Sequence, residues 1–115
     1  MAVNRHRGEV PAIIDGRERT LCLTLGALAE LEDAFAADSL AGLVERFGTG
    51  RLSARDLTRI LAAGLRGGGA DVSEAEMAVM RIDGGAAGAA TVAAQLLAAA
   101  FGTPGEQPEP APPNP

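Results

Sequence analysis

Residues 21–35, LCLTLGALAELEDAF, contain the position at which the chain changes from a strand to a helix. In the first part every second residue is a leucine, which is the period of a half-buried β-strand: Leu21, Leu23 and Leu25. In the second part apolar residues recur every three or four positions, which is the period of one helical face: Leu25, Leu28, Leu31 and Phe35. Thr24 lies at the change, where its hydroxyl can accept a hydrogen bond from a backbone N–H of the first helical turn.

The sequence before this stretch predicts a β-hairpin over residues 9–24. Residues 9–14 and 17–24 each favour a strand, and Asp15-Gly16 between them favours a two-residue turn because both positions tolerate positive φ. Pro11 has no N–H to donate, so the first strand should lie at a sheet edge or begin after Pro11. A lone hairpin is marginally stable in water, and we therefore expect it to pack against helices.

Capping residues and glycines divide the rest of the chain into helices. Ser53 and Ser73 each precede an acidic residue at the third position, which is the capping-box pattern, and three glycines at 67–69 end the third helix. The predicted helices span residues 25–37, 40–47, 54–66, 74–82 and 86–101. We therefore predict one α+β domain over residues 8–102, with an N-terminal β-hairpin followed by four to five short helices. Residues 1–7 are predicted to form a flexible arm and the proline-rich residues 103–115 a disordered tail.

Composition argues against several classes of protein. The net charge of −5 argues against a nucleic-acid partner, because phosphate binding needs a basic surface. Residues 84–105 carry no charge, but they are mainly Ala and Gly and contain Gln95 and Pro104, so no membrane span is predicted. Cys22 is the single cysteine, which excludes an intramolecular disulfide and favours a reducing compartment.

No catalytic, cofactor-binding or metal-binding pattern is present in the sequence. His6 is the only histidine and has no nucleophile or carboxylate at triad or metal spacing around it, so a surface role is favoured. Cys22 alternates with core leucines, which favours a structural thiol. The glycines at 67–69 lack the Lys-Ser/Thr of a phosphate loop.

Three groups of residues are candidates for contact with a partner protein. Met77 and Met80 can line an adaptable groove, although methionines at this spacing are more often core residues. The last helix is rich in alanine, so Ala94 and Ala98 would let another helix approach closely. A row of arginines on the third helix is usually a solvated face, but it could also contact an acidic partner: Arg55, Arg59 and Arg66.

Three segments, in this order along the chain, carry a family resemblance. They are NRHRGE at residues 4–9, LTLGALAELE at residues 23–32 and AGLRGGG at residues 63–69. Together they resemble the small protein encoded in the tail clusters of gene transfer agents and related prophages of alphaproteobacteria. That family is classed with phage tail assembly chaperones and is also labelled tail tube protein. The resemblance covers residues 3–101, and its motifs define a fold and imply no active-site residues.

The resemblance implies a non-enzymatic tail assembly chaperone that binds the tape-measure protein in the bacterial cytoplasm, with tail tube subunits as further candidate partners. Tube subunits depend on extensive sheets that continue between subunits, whereas this sequence predicts one hairpin. Two alternatives remain open. The first is a structural, tube-associated tail component. The second is a small helical DNA-binding regulator, whose recognition helix would be the one that carries the three arginines. No particular oligomeric state is predicted.

We expect the proline-rich tail to be dispensable for folding, because it offers no apolar side chain to anchor it. Deletion of residues 104–115 should leave the amide chemical shifts of residues 9–100 nearly unchanged in a ¹⁵N–¹H correlation spectrum. Widespread shifts in the last helix would contradict this boundary.

Overall fold

A computed structural model describes residues 8–37, 39–48 and 52–101. These residues form an antiparallel hairpin followed by five helices, which confirms the predicted α+β class. The elements are β1 (Glu9–Ile14), β2 (Arg17–Cys22), α1 (Leu25–Ala34), α2 (Leu40–Gly48), α3 (Ala54–Gly67), α4 (Glu74–Ala78) and α5 (Gly85–Phe101). The arm predicted for residues 1–7 and the tail predicted for residues 103–115 lie outside the described residues.

The hairpin turn has the predicted geometry. Asp15 and Gly16 have φ of 53° and 79°, as a two-residue turn with positive φ at both positions requires. The register pairs Ile14 with Arg17 next to the turn, and Pro11 with Thr20. The pair next to a two-residue turn is hydrogen-bonded and pairs alternate, so the nitrogen of Pro11 points away from β2. β1 therefore begins before Pro11, at Glu9, and still satisfies its ladder.

Side-chain caps start three of the helices as predicted. The Thr24 hydroxyl accepts a hydrogen bond from the Ala27 N–H at 3.1 Å, at the first turn of α1. Ser53 and Ser73 each form a complete capping box. In the first, the Asp56 N–H donates to the Ser53 hydroxyl at 3.0 Å and the Ser53 N–H donates to the Asp56 carboxylate at 3.0 Å. Each box satisfies two backbone donors that the first turn of a helix leaves unpaired.

α1 is shorter than predicted, because it ends at Ala34 and not at residue 37. Ala36 adopts a φ of 53°, and the Ala37 N–H donates to the Glu32 carbonyl at 2.8 Å. These contacts form a Schellman motif with alanine at the left-handed position that glycine usually occupies.

α4 also ends early, at Ala78 instead of residue 82. The following residues turn back to the hairpin, where Ile82 forms an isolated antiparallel bridge with Ile14. The Asp83 N–H donates to the Ile13 carbonyl at 2.9 Å, and the Asp15 N–H donates to the Arg81 carbonyl at 2.7 Å. Residues 81–83 thus lie along the outer edge of β1.

α3 is the central helix of the fold and packs against β2, α1, α4 and α5. Its C-terminal half is buried almost on all sides: Ile60, Leu61, Ala62, Ala63, Gly64 and Leu65. A Cβ atom at Gly64 would lie 2.9 Å from a methyl carbon of Leu96 and 3.2 Å from one of Leu21. The absence of a side chain at Gly64 therefore lets α3, α5 and β2 meet in one core.

The predicted apolar face of α1 is wrong at one position. Leu25 is 79% exposed, although its spacing grouped it with Leu28, Leu31 and Phe35. It is the first helical residue after the Thr24 cap, and at this position its side chain lies outside the buried face of the helix. The buried face is formed by Ala27, Leu28 and Leu31.

The glycines that end α3 lie directly against the outer edge of β2. A Cβ atom at Gly67 would be 1.9 Å from the Cys22 carbonyl oxygen, and one at Gly68 would be 2.1 Å from the Thr20 carbonyl oxygen. Real side chains do not approach a backbone oxygen so closely, so the two backbones meet only because both residues are glycine.

Leu31→Ala should lower the free energy of unfolding by about 2–4 kcal/mol, because the Leu31 side chain is 1% exposed and its loss leaves a cavity. The matched control is Leu25→Ala on the exposed side of the same helix, which should cost less than about 0.5 kcal/mol. Urea unfolding followed by circular dichroism measures both values. Equal effects of the two changes would show that the face containing Leu31 is not core.

Gly67→Ala should lower the free energy of unfolding by about 1–3 kcal/mol or more, because α3 must move away from β2 to make room for the methyl group. Gly26→Ala is the control, since the nearest atom to a Cβ there is the Thr24 hydroxyl oxygen at 3.8 Å. In the first turn of α1, alanine should stabilise the fold by up to about 1 kcal/mol. A Gly67→Ala protein as stable as wild type would rule out the close contact with β2.

Candidate interaction surface

Arg59 is bound to other parts of the fold and does not stand free on the helix surface. Its guanidinium carbon lies 5.5 Å from the centre of the Phe35 ring, and its Nη1 donates to the Ala34 carbonyl at 3.2 Å. Its Nε donates to Glu74 Oε1 at 3.3 Å. A cation next to the last carbonyls of α1 also interacts favourably with the helix dipole. Arg59 thereby connects the end of α1 to the start of α4.

Arg66 makes a second connection of the same kind, two turns further along α3. Its Nη1 donates to the Val72 carbonyl at 2.8 Å, and its Nε donates to Glu30 Oε1 at 3.1 Å, with Nη2 contacting the same carboxylate oxygen. Two members of the predicted arginine row are therefore used to hold α1 and the α3–α4 connection. Arg55 is exposed and lines an open groove of about 410 Å³ with Thr58, Glu74, Ala75 and Ala78.

The two candidate methionines lie in different environments. Met77 is 5% exposed and belongs to the core, so it offers no surface to a partner. Met80 is half-buried and lines a shallow hollow of about 380 Å³. The rest of the hollow comes from the residues after Met80 and from the start of α5: Arg81, Ile82, Gly85, Ala86 and Ala89.

The outer face of α5 is uncharged and made of small side chains. Val92, Ala93 and Leu96 face the core, and the opposite side exposes Ala87, Ala90, Thr91, Ala94 and Gln95. Of the two residues predicted on this helix, Ala94 is exposed and Ala98 is half-buried. Another helix could approach this face closely, because small side chains allow short distances between helix axes.

A further surface, which the sequence prediction did not include, lies between β1 and α5. An open groove of about 410 Å³ runs there, lined by Pro11, Ala12, Ile13, Glu18, Asp83, Gly88, Thr91 and Val92. Ile13 is 40% exposed at this groove. The alternation along β1 could have identified it, since Val10, Ala12 and Ile14 are the buried set and Ile13 falls on the opposite face.

The described part of the chain shows no cluster of metal-ligating side chains. It contains no group of three or more His, Cys, Asp or Glu side chains that could act as ligands. Cys22 is half-buried, and His6 lies outside the described residues. Among the described helices, none has the length and apolar character that a bilayer crossing requires.

A family model described as "phage tail tube protein, GTA-gp10" matches residues 7–103. The matched range contains the hairpin and all five described helices. Neither the curated proteins nor the solved structures searched gave a match. On this match the chain belongs to the GTA-gp10 family of phage tail tube proteins, a family of gene transfer agent and phage tail clusters.

Proposed function

We propose that this chain is a non-enzymatic structural component of the tail of a gene transfer agent or related prophage, and that it associates with the tail tube. The observation that carries the proposal is the family match over residues 7–103. Because the match extends over hairpin and helices alike, it reflects the whole fold and not one shared motif.

The outer face of α5 is the surface we propose for contact with other tail proteins. It is exposed from Ala87 to Gln95 and carries no charge, so a partner helix would bury it without removing ions from water. Small side chains such as Ala94 also lose little conformational entropy when they are covered. The arginines of α3 are less suitable, since Arg59 and Arg66 already bind Glu74 and Glu30.

The hairpin supports a tube-associated position over one in the tube wall. A wall subunit that continues a sheet into its neighbour needs a free strand edge. Here the outward carbonyls of Thr20 and Cys22 face Gly68 and Gly67, and the end of β1 pairs with residues 81–83. In this conformation we expect the chain to bind its neighbours through side-chain contacts and not by continuing its sheet into them.

A tape-measure chaperone is the second candidate function, and the same closed hairpin favours it. A small protein whose strand edges are covered can bind an apolar helix transiently without joining the tube lattice. The uncharged face of α5, with Ala94 and Ala98, would then hold helices of the tape-measure protein in the cytoplasm until tube subunits assemble around them.

The DNA-binding alternative is disfavoured by the position of α3. The predicted recognition helix is the central helix of the core, and Arg59 and Arg66 face α1 and α4. A recognition helix must place its side chains in the major groove. The net charge of −5 also repels the phosphate backbone.

Two measurements separate the first two functions. Quantitative mass spectrometry of purified particles should find this protein at a fixed stoichiometry to the tube subunit. Co-expression with the tape-measure protein should leave the solubility of that protein unchanged. If the chain is missing from mature particles and raises tape-measure solubility, the chaperone function replaces the structural one.

Ala94→Glu tests the proposed surface, because a charge in the centre of the α5 face would be buried by the partner without a counterion. We expect incorporation into particles to fall by at least about tenfold, since one tenfold step corresponds to about 1.4 kcal/mol of binding. Ala54→Glu, at an exposed alanine in the first turn of α3, is the matched control and should be incorporated normally. Equal incorporation of both variants, at equal melting temperatures, would exclude the α5 face.

A further inference from the structure

Most of the two strand edges of the hairpin cannot accept another strand. The β2 edge is closed at Thr20 and Cys22, where Gly68 and Gly67 of α3 lie against the carbonyl groups. On the β1 edge, Pro11 has no N–H to donate. Near the turn, the β1 edge presents an acceptor and a donor, the Ile13 carbonyl and the Asp15 N–H, which point away from β2.

Residues 81–83, here called the guard segment, cover that part of the edge. The Asp83 N–H donates to the Ile13 carbonyl at 2.9 Å, and the Asp15 N–H donates to the Arg81 carbonyl at 2.7 Å. The Arg81 N–H donates to the carboxylate of Asp15 at 2.9 Å. Between these bonds, Ile82 lies opposite Ile14 in an antiparallel bridge.

The guard segment is held in place by α5. A turn joins Ile82 to Gly85, whose N–H donates to the Ile82 carbonyl at 3.0 Å, and Gly84 at its third position has a φ of 87°. This φ is the one that a type II turn requires. A Cβ atom at Gly88 would lie 2.0 Å from the Asp83 carbonyl oxygen, so the first turn of α5 packs directly on the guard segment.

The guard segment repeats the sequence of the edge that it covers. Ile82-Asp83 is the same dipeptide as Ile14-Asp15, and the two isoleucines lie opposite each other in the bridge. If a second copy of the chain replaced the guard segment, its Ile14 would take the place of Ile82. The Asp15 N–H of each copy would then donate to the Ile13 carbonyl of the other. This arrangement is self-complementary about a two-fold axis, as a symmetric dimer interface requires.

We propose that the guard segment mimics the β1 edge of a second copy of this chain and thereby keeps the protein monomeric. Release of the guard segment uncovers a surface for one occupant, the same edge of another copy. Ile13, which is 40% exposed beside this edge, would become part of the apolar contact. The inference rests on the hairpin and the guard segment and is independent of the role proposed in the tail.

Two substitutions release the guard segment without changing the turns. Asp83→Pro deletes the N–H that binds the Ile13 carbonyl, and proline is favoured at this second position of a type II turn. Asp15→Gly removes the carboxylate that binds the Arg81 N–H, and glycine keeps the positive φ of the hairpin turn. Asp83→Asn is the matched control, because it keeps the backbone N–H.

Sedimentation velocity over a wide range of protein concentration tests the proposal. Wild type and Asp83→Asn should sediment as monomers throughout. The Asp83→Pro/Asp15→Gly double variant should form a dimer whose dissociation constant is at least about tenfold lower than any found for wild type. Adding Ile13→Lys to the double variant should restore the monomer, since a charged residue on a strand edge prevents pairing.

The proposal is overturned if the double variant keeps a folded amide spectrum and yet remains monomeric at every concentration. It is also overturned if wild type dimerises as strongly, or if Ile13→Lys leaves the dimer intact. Should the double variant not fold, Asp15→Gly alone carries the test with the same outcomes, because it removes a side-chain acceptor and leaves the backbone of β1 unchanged.

Discussion

The contact between β2 and the C-terminal half of α3 is the constraint on which the rest of the structure depends. An isolated hairpin is marginally stable in water, so the buried side chains of the strands must be covered by helices. Gly64 leaves room for Leu21 and Leu96, and Gly67 ends the helix against the Cys22 carbonyl. With α3 in this position, α5 packs against both α3 and β1 and completes the core.

Two arginines on the outer side of α3 connect it to α1 and α4. Arg59 and Arg66 are partly exposed, and their carboxylate partners, Glu74 and Glu30, are half exposed. Ion pairs of this kind stabilise a protein by roughly 0–1 kcal/mol each, so burial of the leucines provides most of the stability. The arginines help to orient α1 and the α3–α4 connection relative to α3, because each also donates to a backbone carbonyl at a helix end or in that connection. An acidic partner would have to compete with both sets of contacts.

What the sequence predicted well was local. Thr24, Ser53 and Ser73 cap helices through hydrogen bonds to residues three positions away, and Asp15-Gly16 forms its turn within two residues. The early end of α1 was missed because Ala36 adopts a left-handed conformation that its residue type does not indicate.

The features that involve distant residues were not predictable from spacing. α4 ends early because residues 81–83 pair with a strand at the other end of the chain. The partners of Arg59 and Arg66 likewise depend on how α1 and α4 pack on α3. On the candidate surface, the exposure of Ala94 followed from helix periodicity, whereas the burial of Met77 depends on the position of α4 against the core.

The order of the elements has a consequence for synthesis of the chain. The hydrogen bond between Arg81 and Asp15 joins residues 66 positions apart, so nearly the whole domain must be made before it can form. On the ribosome, β1 and β2 emerge first, and translation at roughly 5–20 residues per second separates them from residues 81–83 by seconds. During that interval the β1 edge is uncovered. Each nascent chain therefore exposes this edge until residues 81–83 have been made, and Pro11, which lacks an N–H to donate, is the protection that is present from the start.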